Sequence, residues 1–366
     1  MVKPKQTRAE GVLRNDNAIS DALVAVIANE GWDSITISGV AKTAGVSVGA
    51  IYARAETISE LANSVWQSTL QEVIRNYFHV ISEAVRSGDP NQIFEVSRAH
   101  EKILTELKVG FELIIASVFD EELSEVIGAD FSEILKSSLG FGGIGSRSEH
   151  QKAALFLVTS FILGRVLATI SGSDLVALSN EEARTLAGFY GAPEEQHTSL
   201  SLPVVHFVRH SEDNELVLEK ATLNAIAQWG YRKSTFARIA RKSGTSPGAL
   251  ISGHTSKVDL VAYSARELLY SPKQVWQPFD GLIEQYGSPE VRTEFLESYL
   301  APHNRENWKL NIELARVSGI YPELAQFKTP ADPLQRTHLA LMLLAIFLPD
   351  VHSLPFQGCF RMGITT

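Results

Sequence analysis

The chain has 366 residues and a formal net charge of −9. It is long enough for two domains, and it is not a basic protein that coats nucleic acid unspecifically. Its single cysteine, Cys359, cannot form an intrachain disulfide or a zinc site alone, which is typical of a reducing cytoplasm. No apolar segment follows the basic N-terminus, so we expect a cytoplasmic protein without a signal peptide or a membrane span.

The first predicted elements are three helices. An amphipathic helix, "AISDALVAVIANEG", ends at Gly31. Thr36 is placed to N-cap a second helix, "ISGVAKTA". After a tight turn at Gly45, Ser47 is placed to cap a short third helix, "VGAIYAR". This order is typical of a helix-turn-helix, whose second helix enters the DNA major groove. A helical hairpin without a nucleic-acid function is the alternative.

The same pattern returns 199 residues later, where "SGTSPGALISG" follows "AGVSVGAIYAR". The match needs no gap over roughly 40 positions, which indicates an internal repeat. Pro247 falls at the first position of the repeated third helix, where its missing N–H is tolerated. The cap and turn residues of the second copy are Thr235, Gly244 and Ser246.

Apolar helical patterns predict a bundle after each copy. The segment "EHQKAALFLVTSFILGRVLATI" is apolar nearly all round, which suits burial against its own domain and a partner. Within the join between the halves, "LPVVHFV" has the pattern of a short extended segment. The predicted divisions are an arm with the first motif at 1–65, a helical body at 66–200, a join at 201–216, the second motif at 217–268 and a shorter body at 269–366.

Both copies resemble the DNA-binding segment of the TetR family of bacterial transcriptional regulators. The first copy supplies "EGWDSITISGVAKTAGVSVGAIYARAETISEL" and the second "QWGYRKSTFARIARKSGTSPGALISGHTSKVDL". The resemblance implies an all-α chain of two fused units, each a three-helix helix-turn-helix segment followed by a helical ligand-binding and dimerisation bundle. It implies a repressor that binds double-stranded operator DNA, responds to a small apolar effector, uses no cofactor and is not an enzyme.

The resemblance also implies DNA contacts at matching positions. In the family, a tyrosine and a later lysine both touch DNA phosphates. The first copy keeps Tyr52 but has Ile58 at the lysine, and the second keeps Lys257 but has Ile251 at the tyrosine. The candidate DNA-binding residues are Thr36, Ser47, Val48, Tyr52, Arg54, Thr235, Lys242, Ser246, Pro247, His254 and Lys257.

Charge distinguishes the two copies. Between Ala18 and Ser64, two basic residues stand against five acidic ones, a net charge of −3, whereas between Glu219 and Arg266 eight stand against two, a net of +6. Phosphate contacts supply much of DNA affinity, so we expect the second motif, and Lys257 in particular, to carry most of it. The arm with Lys3, Lys5, Arg8 and Arg14 either follows the DNA or is a solvated tail.

Two other classes of protein, an interaction or sensor protein and an enzyme, are alternatives to this interpretation. An interaction or sensor protein with decayed motifs is favoured by Ile58, Ile251 and the acidic first copy, and opposed by the basic second copy. The "GFGGIG" segment satisfies a dinucleotide-binding pattern but lacks the preceding strand, so it predicts a loop. The sequence contains no hydrolase or metalloprotease motif, and we assign no catalytic or metal-binding residue.

The first body offers a candidate effector site. Ligand pockets are mostly apolar with a few placed polar groups. Aromatic residues at helical spacing also fill ordinary cores, so a plain core is the alternative. The expected lining residues are Phe111, Phe119, Phe156 and Phe161, with Glu112 or Arg165 as the polar anchor. We also expect the two units to pack as a pseudo-dimer within one chain, with further dimerisation of whole chains left open.

Overall fold

Helices make up the regular structure, and no β-strand forms in the residues that the structure describes. The all-α prediction is therefore confirmed. The computed structural model describes residues 8–141, 148–174, 178–191, 216–254, 256–269, 280–286, 291, 294–295, 298–328 and 333–354. Outside them lie Lys3, Lys5, most of "GFGGIG", "LPVVHFV" and Cys359.

The first helix-turn-helix segment follows its capping residues. Gly31 ends the first helix with a φ of 73°, in the left-handed region that favours glycine. The Thr36 hydroxyl oxygen accepts a 3.1 Å hydrogen bond from the Gly39 N–H and thereby caps the second helix. The helices of this segment are α1 (Arg8–Glu30), α2 (Ile37–Ala44), α3 (Val48–Tyr52) and α4 (Ile58–Val65).

A helical body follows without a break, because a π-helical turn, Trp66–Leu70, carries α4 into the next helix. The chain around Phe111 forms a 3-10 turn, His100–Ile103, followed by a regular helix. The helices of this body are α5 (Gln71–Ser87), α6 (Pro90–Ala99), α7 (Leu104–Ser117), α8 (Glu121–Leu123), α9 (Ala129–Leu139), α10 (Glu149–Ile170) and α11 (Asn180–Phe189).

Within the described ranges, α10 is the one helix long and apolar enough to cross a membrane. However, 94% of its most apolar window is buried inside the protein. A helix that is apolar all round and enclosed by other helices is a core helix, as the sequence predicts.

The second segment starts each of its short helices 199 residues after its counterpart in the first. Gly230 has a φ of 69°, close to that of Gly31, and Gly244 is left-handed like Gly45. The same kinds of residue at the same spacing therefore produce the same local backbone. The helices are α12 (Val217–Lys233), α13 (Phe236–Ser243), α14 (Pro247–Gly253) and α15 (Lys257–Leu268).

The second body is smaller, with α16 (Asp280–Tyr286), α17 (Arg305–Ser318) and α18 (Pro333–Phe347). Helix α18 packs along α10 so closely that the backbones touch at Gly164. A Cβ placed on Gly164 would lie 2.4 Å from the Arg336 carbonyl oxygen. Only glycine permits this approach, so α10 and α18 form a tight seam between the bodies.

One apolar core runs through the first segment, the first body and α18, and it includes Leu23, Trp66, Phe111 and Leu343. The second segment has two smaller apolar clusters. One joins α12 and α15 to α17 through residues such as Ile226, Val261 and Leu314. Each helix-turn-helix segment is thus anchored to a long helix of a body.

Candidate nucleic-acid interface

The short helix α3 presents the first candidate surface. The Ser47 hydroxyl oxygen accepts a 3.1 Å hydrogen bond from the Ala50 N–H and fixes the start of the helix. Val48 and Tyr52 are large side chains that remain 40% and 56% exposed. A tyrosine hydroxyl can donate to a phosphate, and an apolar side chain can contact a thymine methyl group. Both are therefore available to a ligand.

Arg54, at the end of this surface, is already bound within the protein. Its Nε donates to the Asp16 carboxylate of α1. One terminal nitrogen donates to the Ala50 carbonyl at 2.6 Å. Arg54 thus links α3 to α1, and the Asp16 carboxylate balances its charge in the absence of DNA.

The second motif displays its cations around Trp229. The Lys242 Nζ lies 5.0 Å above the centroid of the Trp229 ring and donates to the Gln228 side-chain oxygen at 2.9 Å. The Arg238 guanidinium lies 5.4 Å from the same ring. Lys242 and its neighbour Arg241 are exposed. This cationic surface, defined as Arg238, Arg241 and Lys242, is open to an anionic partner.

Other predicted residues of the second motif are at its edges. The Thr235 hydroxyl oxygen accepts from the Arg238 N–H at 3.3 Å and caps α13. Ser246 and Pro247 are exposed where α14 begins. The His254 ring lies 5.6 Å from the Tyr263 ring, beyond the end of α14.

Lys257 is turned towards the protein. Its Nζ donates to the Tyr231 carbonyl at 2.7 Å and lies 3.8 Å from the centroid of the Tyr231 ring. Burial lowers its pKa, although Asp33 and Glu313 oppose that shift. The ammonium group of Lys257 thus has a partner inside the protein, and its contact with a DNA phosphate stays a prediction.

Behind the two motifs is a buried ion network, the Arg316 cluster, defined as Asp33, Glu112, Glu313 and Arg316. The guanidinium of Arg316 contacts Glu112 at 2.7 Å, Glu313 at 2.8 Å and Asp33 at 2.9 Å. All four side chains are between 2 and 5% exposed. Burial opposes the charge on Arg316, but the three carboxylates raise its pKa well above its usual value.

The cluster holds the first turn after each positive-φ glycine. Glu112 accepts a 3.0 Å hydrogen bond from the Trp32 N–H, which follows Gly31. Glu313 accepts a 2.5 Å hydrogen bond from the Tyr231 N–H, which follows Gly230. Burial raises the pKa of Glu112, whereas Arg316 and the Trp32 N–H lower it. Each body therefore holds its helix-turn-helix segment at the same place, through a glutamate that accepts the N–H after the positive-φ glycine.

Direct contacts also join the two motifs. The Arg232 guanidinium donates to the Trp32 carbonyl at 2.9 Å and to the Ile35 carbonyl at 3.3 Å. Lys233 forms a 2.8 Å ion pair with Asp120. Arg232 and Lys233 are two of the eight basic residues that give the second motif its net charge of +6. In the fold they connect the end of α12 to the first unit.

Most of the predicted pocket residues lie in packed surroundings. Phe111 packs edge-on against Tyr77, Phe78 and Phe131 at centroid distances of 5.8 to 6.3 Å. Phe156 and Phe161 are buried on α10. The ring of Phe119 faces Gly230, and Glu112 belongs to the Arg316 cluster. Arg165 lies apart from this cluster, 5% exposed on α10.

Among the cavities lined by described residues are three for which the lining is defined, and of the predicted pocket residues Phe119 alone lines any of these three. The cavity beside Phe119 has about 20 Å³, roughly the room of one water molecule. A second, of about 310 Å³, lies where the end of α7 and the residues before α9 meet the start of α17 and the end of α18. The largest of these three is an open cleft of about 720 Å³ beside α15, lined by Glu219, Gly253, His254, Asp259, Ala262, Tyr263, Arg266 and Glu323. The described chain contains no group of three side chains suited to hold a metal ion.

Comparison with known proteins gives one family match. Residues 19–65 match the family described as "Bacterial regulatory proteins, tetR family". The matched range extends from the buried face of α1 through α2 and α3 to the end of α4. No curated protein matches the chain.

Proposed function

We propose that this chain, whose residues 19–65 match the TetR family of bacterial transcriptional regulators, is a ligand-responsive repressor with two fused units. In this proposal both helix-turn-helix segments of one chain bind operator DNA. The observation that carries it is the equivalence of the two segments in backbone. Each has a positive-φ glycine, a threonine-capped helix, a left-handed glycine and a short exposed helix.

The pairing of the units within one chain is supported by reciprocal contacts. A Cβ on Gly31 would collide with Ile320 of the second unit at 2.1 Å. A Cβ on Gly230 would approach Phe119 of the first unit to 2.9 Å. The α10–α18 seam adds a second contact between the bodies. A pseudo-dimer of this kind needs no second chain to bring two recognition helices together.

The two recognition surfaces are unlike, so the proposed operator is asymmetric. The first surface has Val48 and Tyr52 with little positive charge nearby. The second has the cationic surface of Arg238, Arg241 and Lys242. A symmetric homodimer would favour a palindrome, whereas unlike helices favour unlike half-sites, roughly one helical turn apart.

Selection of bound fragments from genomic DNA tests this proposal. The selected site is then compared with two palindromes, each built from one of its half-sites. We expect binding to the asymmetric site to be at least about tenfold tighter than to either palindrome, since each wrong base pair weakens binding. Preference for a palindrome would contradict the use of both motifs by one chain.

A protein without DNA binding is the second candidate. The internal pairing of Arg54 with Asp16 favours it, as do Ile58 and Ile251 at positions where the family contacts phosphate. In that case no fragment is enriched, and replacing Lys242 changes no measurable binding. Enrichment of a specific fragment by the wild-type protein excludes this candidate.

A further inference from the structure

Arg165 is a buried cation that lacks a partner in the described parts of the chain. It lies near the C-terminal end of α10 and is 5% exposed. Its guanidinium forms neither a hydrogen bond nor an ion pair with described residues. Glu182 favours its charge electrostatically but makes no ion pair with it, and Arg336 opposes the charge. Burial lowers the pKa of Arg165 to about 10, so the group remains charged at neutral pH.

A second unsatisfied group faces the same region. Tyr77 is 2% exposed, and its hydroxyl makes no hydrogen bond. The Tyr77 and His100 rings lie 4.4 Å apart, and the charge of Arg165 acts on both side chains. Burial lowers the pKa of His100 to about 3, so its ring is neutral at neutral pH and keeps one N–H donor. One buried region therefore contains three hydrogen-bond donors, and no carboxylate of the described residues is bonded to any of them.

Such an arrangement is unfavourable without an occupant. A buried charge without a partner destabilises a fold, and an apolar side chain of similar volume is then the better choice. A buried hydroxyl without a hydrogen bond lowers the stability of the fold further. A planar guanidinium matches the two oxygens of a carboxylate, and the surrounding core of α5 and α10 is apolar.

We propose that Arg165, Tyr77 and His100 bind the carboxylate of an apolar organic acid. Arg165 supplies the charge, and the Tyr77 hydroxyl and the His100 ring supply further donors. The proposal rests on the ligand response proposed above, and it names the chemical class of the effector. It assigns the role of polar anchor to Arg165 and not to Glu112, because the Glu112 carboxylate is already bound to Arg316.

Thermal unfolding of the full chain with defined probes tests it. The probes are octanoate, decanoate, benzoate and phenylacetate, with octanamide, octylamine and inorganic phosphate as matched comparisons. We expect at least one carboxylate to raise the melting temperature by about 3 °C or more at saturating concentration, and the neutral amide and the amine to leave it unchanged. Arg165→Met is expected to melt at the same or a higher temperature without ligand and to lose the carboxylate effect.

Two further variants keep the test decisive. Tyr77→Phe removes only an unbonded hydroxyl, so it should fold normally and bind the same carboxylate about tenfold more weakly. Arg98→Met, which changes an exposed arginine on α6, should respond like the wild type. An unchanged carboxylate effect in Arg165→Met, equal effects of octanamide and octanoate, or no effect of any carboxylate would overturn the proposal.

Binding to the operator is measured in parallel. If carboxylates bind through Arg165 but leave DNA affinity unchanged, the anion site stands and the proposed ligand response fails. If DNA binding responds only to neutral compounds, the ligand response stands and the anion site fails.

Discussion

Glu112 and Glu313 share one guanidinium, that of Arg316, although they belong to different bodies. Each glutamate is the ninth residue of a 14-residue helix, α7 or α17. Each also accepts the backbone N–H that follows a positive-φ glycine at the base of a helix-turn-helix segment. A shift of either helix therefore acts on the support of both motifs. The proposed ligand response would act through this shared support, provided that the effector binds two states of the protein with unequal affinity.

Replacement of Arg316 by methionine should destabilise the fold strongly. Three buried carboxylates would lose their common cation, which costs about 3–5 kcal/mol for a single broken pair of this kind. Chemical denaturation at pH 7 measures the loss, with Arg98→Met as the exposed control. Because the pKa of Glu112 is already raised by burial, the loss should shrink as pH falls towards 5. A change below about 1 kcal/mol would contradict the assigned role of the cluster.

Gly164→Ala should destabilise the α10–α18 seam. The added methyl group would collide with the Arg336 backbone, so we expect a loss of at least about 2 kcal/mol. Gly188→Ala on α11 is the matched control, because no atom lies within 4 Å of its added Cβ. That control should be neutral or stabilise by up to about 1 kcal/mol through helix propensity. Equal melting temperatures of the two variants would rule out a tight seam.

His100 should make the protein less stable in mild acid. The unfolded imidazole takes up a proton below its ordinary pKa of 6.5, whereas in the fold burial keeps the ring neutral down to about pH 3. The unfolded state then binds more protons, so the free energy of unfolding falls as pH falls from 6.5 towards 3. Between pH 6.5 and 5 this amounts to about 2 kcal/mol.

His100→Leu should flatten this part of the stability curve, measured by urea denaturation at several pH values. His79→Asn, at an exposed position on α5, should leave the curve as in the wild type. If the curves of His100→Leu and wild type run parallel, His100 is not the group responsible.

Substitutions of Lys242 and Lys257 should change different properties: the first DNA affinity, and the second stability. Lys242→Ala removes an exposed cation, so it should weaken operator binding and reduce the slope of log affinity against log salt by about one. Lys257→Met removes the hydrogen bond and the ring contact to Tyr231, so it should lower stability by about 1–2 kcal/mol and leave the salt slope unchanged. Titrations of labelled operator at four salt concentrations measure the slopes. The opposite assignment of the two effects would mean that Lys257 faces the DNA after all.

The local parts of this fold could be predicted from the sequence. Thr36, Ser47 and Thr235 act through backbone groups three residues away, so their caps follow from short-range spacing. The apolar pattern of α10 likewise predicts a buried helix. The partners of Arg316 could not be predicted, because Glu112 and Asp33 lie 204 and 283 residues away. The contact of Lys257 with Tyr231 could not be predicted for the same reason, because a count of charges does not show which way an ammonium group points.

The single guanidinium of the Arg316 cluster restricts which halves can associate. At the position in α7 that corresponds to Arg316 in α17 stands Ile115, and the first motif has Asp33 where the second has Arg232. In the proposed pairing, two first halves would bring four acidic groups together without a cation. Two second halves would place two copies each of Arg316 and Arg232 against only two glutamates. One half of each kind instead brings two cations, Arg316 and Arg232, to three carboxylates, a net charge of only −1. Each half is therefore better matched in charge by the other half than by a copy of itself.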